Sequence, residues 1–233
     1  MPKHPLLSIL SHPNATEDMA EKAFLKAHEA FREAKWQRDW DAIDNHSYMA
    51  RIAAGSRAFS KRLFDKYIDH RELSEHLIHS RHFNNWVDKV GIDNALSHPS
   101  VHVQDGATNH PDFNSWVSRV GFDKAMSHRN DHVQFAAVEH PDFGKWLDEL
   151  GIDEALDHPS EHVQYAAADH PHFRKWVSKV GFDRALSHPH DYVGEMAAEH
   201  PKFDSWVHSL GKDTALSHHS EWVQEAAKQI FNA

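Results

Sequence analysis

Histidine is the residue whose number and spacing most invite a chemical reading of this 233-residue chain: there are 24, of which 17 fall from residue 82 onward. They form columns thirty residues apart. His98, His128, His158, His188 and His218 make the first, and His110, His140, His170 and His200 the second. A third column, His102, His132 and His162, continues as Tyr192 and Trp222. Imidazole is the commonest metal ligand, and the pairs Glu139–His140, Asp169–His170 and Glu199–His200 set a carboxylate beside it. A residue present in every unit of a periodic array is nevertheless first a part of the unit. Stacked helices stand about 10 Å apart, whereas Zn–N bonds are about 2 Å long, so equivalent histidines in a column do not converge on one ion. Capping and hydrogen bonding between units is therefore the expected role, with no metal and no cofactor. No phosphate-cradling glycine loop, Gly-x-Ser-x-Gly elbow or His-Glu-x-x-His pair occurs, and no serine is set apart from its equivalents, so no catalytic residue is expected.

The elements that position these columns repeat with them. In His110–Glu139, the apolar residues Phe113, Trp116, Val117 and Val120 lie at i, i+3, i+4 and i+7, one stripe of an amphipathic helix over 111–120. Pro111 suits its first position, and Gly121 suits a left-handed stop after its last turn. Asp123–Ser127 reads as a short helix or 3₁₀ turn with Asp123 as its cap. Asp131–His140 reads as a third helix with Val133, Ala136 and Ala137 inward, ended by the His-Pro step. The Trp86, Trp116, Trp146, Trp176, Trp206 column and the matching Phe83, Phe113, Phe143, Phe173, Phe203 column are expected to be core. A fixed period of this size is the mark of a stacked array, because one unit cannot bury so many large apolar side chains alone.

The phrase His158-Pro159-Ser160-Glu161-His162-Val163-Gln164-Tyr165-Ala166-Ala167-Ala168-Asp169-His170-Pro171 resembles the leucine-rich-repeat-variant and short HEAT-like families, over about residues 80–230. The resemblance implies an all-α, right-handed α-solenoid of about five thirty-residue units, and says nothing of activity. Gln stands where those repeats usually carry Arg, and the Phe-x-x-Trp-Val helix is a further departure. The iron–sulfur cluster of some variant-repeat proteins cannot carry over, since the chain has no cysteine. The acid–histidine pairs are similar to those of di-iron HEAT-repeat hydroxylases, but those enzymes carry His-Glu near the start of the second helix, where this chain has Phe135-Ala136 and Tyr165-Ala166.

Residues 1–80 lack the thirty-residue period and read as a helical cap or small bundle, with helices expected over 16–35, 39–54, 56–67 and 72–80; residues 81–233 are the repeat domain. The opening MPKHPLLSILSHPN is too short in its apolar core for a signal peptide, no apolar run approaches a membrane span, and the absence of cysteine fits a cytoplasmic protein. The last helix ends with Phe231 two residues from the terminus, leaving a homodimer through that end open. The net charge of −10 lies wholly after residue 80, where 23 acids face 13 bases, the first eighty residues holding 12 of each. Such a surface repels phosphates, so nucleic acid is an unlikely partner.

Positions that vary within the fixed frame carry the functional reading. Column 105 to 225 reads Asp105, Phe135, Tyr165, Glu195, Glu225, and the third histidine column runs into Tyr192 and Trp222. His132, Gln134, Phe135, His162, Gln164, Tyr165, Tyr192, Glu195 and Trp222 are thus the candidate ligand face, since exposed aromatics mark interface hot spots. The expected function is non-catalytic binding of a protein or basic peptide. Two alternatives stand beside it: an acidic DNA mimic of the kind a phage encodes, occupying a DNA-binding protein, and a His/carboxylate metalloenzyme.

Overall fold

The structure, a computed structural model, describes residue 10 and residues 12–232; most of the N-terminal segment read above against a signal peptide lies outside them. Among the described residues it is all-helical, and no helix is long and apolar enough to cross a membrane. The chain divides into two compact units, Met1–Val120 and Gly121–Ala233, a boundary that falls inside the periodic stretch.

The first unit opens with a hairpin of α1 (Glu17–Gln37) and α2 (Trp40–Gly55). Thr16 caps α1 by accepting the Met19 N–H, and Asp39 caps α2 by accepting that of Ala42, each satisfying one orphan donor of a helix start. Two expected helices are shorter than their apolar pattern: α3 is Lys61–Tyr67, because Ser60 caps at Leu63, and α4 is only Ser74–Leu77. Their apolar side chains Leu63, Phe64 and Leu77 are buried all the same, and Phe59, just before α3, stands edge-on to Phe24 of α1 at 5.1 Å. The triplet α5 (Phe83–Val90), α6 (Ile92–Leu96) and α7 (Val101–Thr108) follows, with α8 (Phe113–Val120) last. Helix α4 packs on α7, its Leu73 and Leu77 standing thirty residues before the buried Val103 and Ala107. The non-periodic segment therefore ends in an element that does the work of a third helix.

The second unit starts with the short α9 (Phe122–Met126) and α10 (Asp131–Val138). Three triplets follow: α11 (Phe143–Leu150), α12 (Ile152–Leu156) and α13 (Glu161–Asp169); α14 (Phe173–Val180), α15 (Phe182–Leu186) and α16 (Asp191–Ala198); α17 (Phe203–Leu210), α18 (Lys212–Leu216) and α19 (Glu221–Asn232). The third helices pack in succession, α10 on α13, α13 on α16 and α16 on α19. Phe143, Phe173 and Phe203 are buried, each within 5.8 Å of the tryptophan three residues on. Phe231 stacks on His208 at 5.6 Å, and α19 packs back on α17.

Three local expectations are corrected. The first helix of each unit begins at the phenylalanine, so Pro111 lies in the turn before α8 instead of at its first position. The glycine between first and second helices is not in the left-handed helical well: Gly181 has φ 90° and ψ 156°, a region essentially reserved for glycine. Its N–H closes α14 on the Val177 carbonyl, and its own carbonyl accepts from Ala185 to open α15. The glycine is thus itself the N-cap, which moves the aspartate from the cap into the first turn. There Asp153 accepts the Trp176 indole N–H at 2.6 Å, tying α12 to α14.

Two other glycines show opposite constraints. A Cβ on Gly106 would stand 2.7 Å from Phe83 Cζ and 2.9 Å from Ile78 Cγ2, whereas one on Gly194 would meet only Trp222, at 3.4 Å. Gly→Ala in a helix gains about 1 kcal/mol of propensity, but overpacking costs about 1–3 kcal/mol. Gly194→Ala is therefore expected to raise the urea midpoint and Gly106→Ala to lower it; the same sign for both would refute the contrast.

Candidate functional site

The histidine columns are turn-formers. In both main columns Nδ1 accepts the backbone N–H two residues on: His98 from Ser100, His158 from Ser160 and His218 from Ser220 in the first, and His110 from Asp112, His170 from His172 and His200 from Lys202 in the second, all at 3.0–3.3 Å. A ring that accepts at Nδ1 carries its proton at Nε2 when neutral, and that nitrogen faces Asp69 from His98, Asp88 from His110, Asp148 from His170 and Ser178 from His200. First-column rings also stand edge-on to the tryptophan of their own unit, His158 to Trp146 at 6.1 Å and His218 to Trp206 at 5.8 Å. Burial pushes His158 and His188 below the ordinary imidazole range.

Two clusters bring three possible metal ligands within 4.8 Å of one another, Asp148–His170–His172 and Asp88–His110–Asp112. In each, the second-column histidine would have to give a lone pair at Nε2 and move its proton to Nδ1, against the backbone N–H that Nδ1 now accepts. The donor set therefore suits a hydrogen-bonded turn better than an ion. The clusters alternate with another solution of the same problem. Where Ile152 stands at the start of the second helix, His170 is served by Asp148; where Phe182 stands, His200 has Ser178 and packs edge-on to the phenyl ring at 5.4 Å. The sequence thus has a sixty-residue alternation inside its thirty-residue period, visible in the Ile/Phe and Asp/Ser columns once the contact is known.

The candidate ligand residues come together on the third helices of the second unit. Phe135, Tyr165 and Trp222 are 55 %, 41 % and 44 % exposed. Phe135 lies 5.6 Å from the His162 ring, and Tyr165 lies 4.8 Å from Tyr192 and 4.5 Å from His190. Trp222 covers Gly194. His162 Nε2 stands 2.9 Å from Asp131, and the Tyr192 hydroxyl donates to Asp169 at 2.6 Å, which holds that phenol up at about 12. His132 and Glu195 are exposed on the same helices. Gln134 and Gln164 differ. Each is half-buried and donates to the carbonyl of the histidine six residues before it, His128 or His158, and Gln134 also accepts from Ser160. Their amides are consumed in joining loop to helix, so they support the face without forming it.

Charge is segregated on this unit. Asp131, Glu161, Asp191 and Glu221 open the four third helices in register, Asp169, Glu195 and Glu225 lie further along them, and Glu139 and Glu199 cap the ends of α10 and α16. Of the ten Lys and Arg residues after residue 120, only Lys228 lies on a third helix. Three bases of the other helices are paired to acids there, as Lys145–Glu149, Lys179–Asp153 and Arg184–Asp153.

A feature that sequence columns could not reveal lies in the first unit. A groove of about 1030 Å³ runs between the C-terminal half of α1 and the start of α7, lined among others by Arg32, Trp36, Arg71, Glu72 and His102. At its wall His28 Nδ1 stands 3.2 Å from Nε2 of the fully buried His76, while His28 Nε2 faces Glu72 at 3.6 Å. His76 Nδ1 is buried without a partner. The two histidines are 48 residues apart in a segment without period, so only the fold pairs them.

Comparison of the chain with protein-family models, with curated proteins and with solved structures finds no match.

Proposed function

We propose that this protein is a non-catalytic binding scaffold of the α-solenoid type, related in design to the variant and HEAT-like repeats, whose acidic, aromatic third-helix face receives a basic segment of a partner protein. The observation that carries the reading is the segregation of charge: nine carboxylates and three exposed aromatic rings share one set of helices with a single lysine. Like charges in register destabilise a fold, and among the described residues only Asp131 and Asp169 are bonded to the next third helix, through His162 and Tyr192. Exposed rings beside carboxylates suit arginine and lysine, through cation–π contact and ion pairing together. A basic peptide is expected to bind the full chain, and Phe135→Ala with Tyr165→Ala to weaken it by about tenfold or more, roughly 1.4 kcal/mol or above, in a titration by fluorescence anisotropy. An unchanged affinity in the double variant would sink the aromatic part of the reading.

The carboxylate ladder also supports a second reading, an acidic surface that stands in for DNA. The two separate by salt. Binding through the rings persists as ionic strength rises, whereas charge mimicry falls steeply once the Debye length shortens below about 10 Å.

A further inference from the structure

The spacing of the ladder says more about its ligand than that it is basic. Two rungs join aromatic groups to a carboxylate, Phe135 with His162 and Asp131, and Tyr165 with Tyr192 and Asp169; the third is Trp222, with Glu225 three residues on and paired to Lys228. The rungs sit on helices that pack side by side, at a separation of about one helix diameter, ~10 Å. A ligand that uses successive rungs must present a cation on one face about every 10 Å.

Regular conformations differ in how they meet that demand. A β-strand places residues i and i+3 on opposite faces. Polyproline II has three residues per turn and a rise of about 3.1 Å, so every third side chain returns to the same face after about 9 Å. An α-helix comes back after seven residues and about 10.5 Å, with a drift of about 20° per heptad. Hydrogen bonding decides between the last two. The Tyr165 hydroxyl and the Trp222 indole N–H make no hydrogen bond among the described residues, while the Tyr192 hydroxyl is already engaged by Asp169. Tyr165 and Trp222 are 41 % and 44 % exposed, with the Trp222 indole N–H lying toward Gly194, and a ligand that brings acceptors can serve these donors. The carbonyls of a helix are spent internally, and those of a polyproline II chain are not. The step from α16 to α19 adds polar atoms in want of partners. Gly194 stands where Gln134 accepts from the next unit's Ser160, and Ser220 Oγ and His190 Nδ1 are buried there unpaired.

Resting on the basic-segment reading above, we infer that the third-helix face recognises a polyproline II segment with an arginine at every third position, its guanidinium groups meeting successive rungs and its carbonyls taking the Tyr165 and Trp222 donors. The planar guanidinium stacks on a ring and engages a carboxylate by the same edge-and-face geometry, which an ammonium does not.

Three labelled peptides of equal charge test this on the full chain by anisotropy at about 0.15 M NaCl: four Pro-Pro-Arg triplets, the same residues with the arginines in one block, and an alanine-based helical peptide with four arginines seven apart. The triplet peptide is expected to bind at least about tenfold more tightly than the block isomer, and Tyr165→Phe with Trp222→Phe to erase that margin without unfolding the chain. Equal affinity for triplet and block peptides, or tighter binding of the helical one, would overturn the inference and leave the basic-segment reading standing. No binding by any of the three would overturn that reading too.

Discussion

Lowering the pH from 7.5 to 4.5 is expected to destabilise the first unit by several kcal/mol, and the buried His28–His76 pair to account for most of it. Burial holds His76 down at about 3 and lowers His28, with the positive charges of Arg51, His79 and His102 adding to the effect on His76; Glu72 opposes it on His28, and Arg32 and His70 reinforce it. A histidine with a depressed folded value binds its proton more readily when unfolded. Its contribution is complete above the unfolded value of about 6.5 and is lost as pH falls through 6.5 toward the folded value, at about 1.4 kcal/mol per pH unit. His76 has no exposed surface, and its ring is edge-on to Phe24 and Phe31, so the fold cannot hydrate an imidazolium in place. One proton is shared between the rings: with the His28 Nε2–H turned toward Glu72, His28 Nδ1 accepts from His76 Nε2, which leaves His76 Nδ1 a bare lone pair. A buried lone pair without a partner costs less than a buried N–H or a charge. Urea midpoints at pH 7.5, 6.0 and 4.5 check this for the wild type and for His28→Leu with His76→Leu. The double variant should lose most of the slope in the first unit, retaining what His79 contributes, while the lowered His158 and His188 give the second unit a smaller acid loss of the same sign. Parallel slopes for wild type and variant would refute the assignment.

The repeat half of the chain was legible because one residue type at one spacing had one use. Phe113 and Phe173, three residues before a tryptophan, are buried as their periodicity implied, and the helix boundaries followed within two or three residues. The exposed columns were legible for the same reason. Positions 135, 165 and 222 vary because they face outward, and the structure joins them to 162, 192 and 194. Gln134 and Gln164 misled because they repeat with the frame; a side chain present in four of five units is more often used by the fold than by a ligand, and these amides hold the histidine carbonyls. Asp123 was read as a cap from its place after a glycine, but periodicity does not say which side of a positive-φ residue a helix starts on. The first unit was the least legible. Its short helices α3 and α4 are set by Ser60 capping and by packing on α1, and His28–His76 is a tertiary pair with no local signature.

Two phenylalanines of the second unit separate stability from recognition. Phe173 is 2 % exposed and stacks on Trp176 at 5.4 Å, with the indole N–H held by Asp153. Truncation to alanine removes a ring from a closed layer, and Phe173→Ala is expected to cost about 3–5 kcal/mol. That is a large share of the ~5–15 kcal/mol a domain has in total, so the melting transition of the unit should drop sharply or disappear. Phe135 meets the His162 ring and is more than half exposed; surface substitutions of this kind stay within about 0.5 kcal/mol, so Phe135→Ala should leave the thermal transition in place. The peptide titration should show the reverse order once each variant's folded fraction is taken into account, with Phe135→Ala weakened and folded Phe173→Ala retaining affinity. Were Phe135→Ala to melt as early as Phe173→Ala, the exposed ring would be a part of the core, and the third-helix face would have no aromatic group to spare for a ligand.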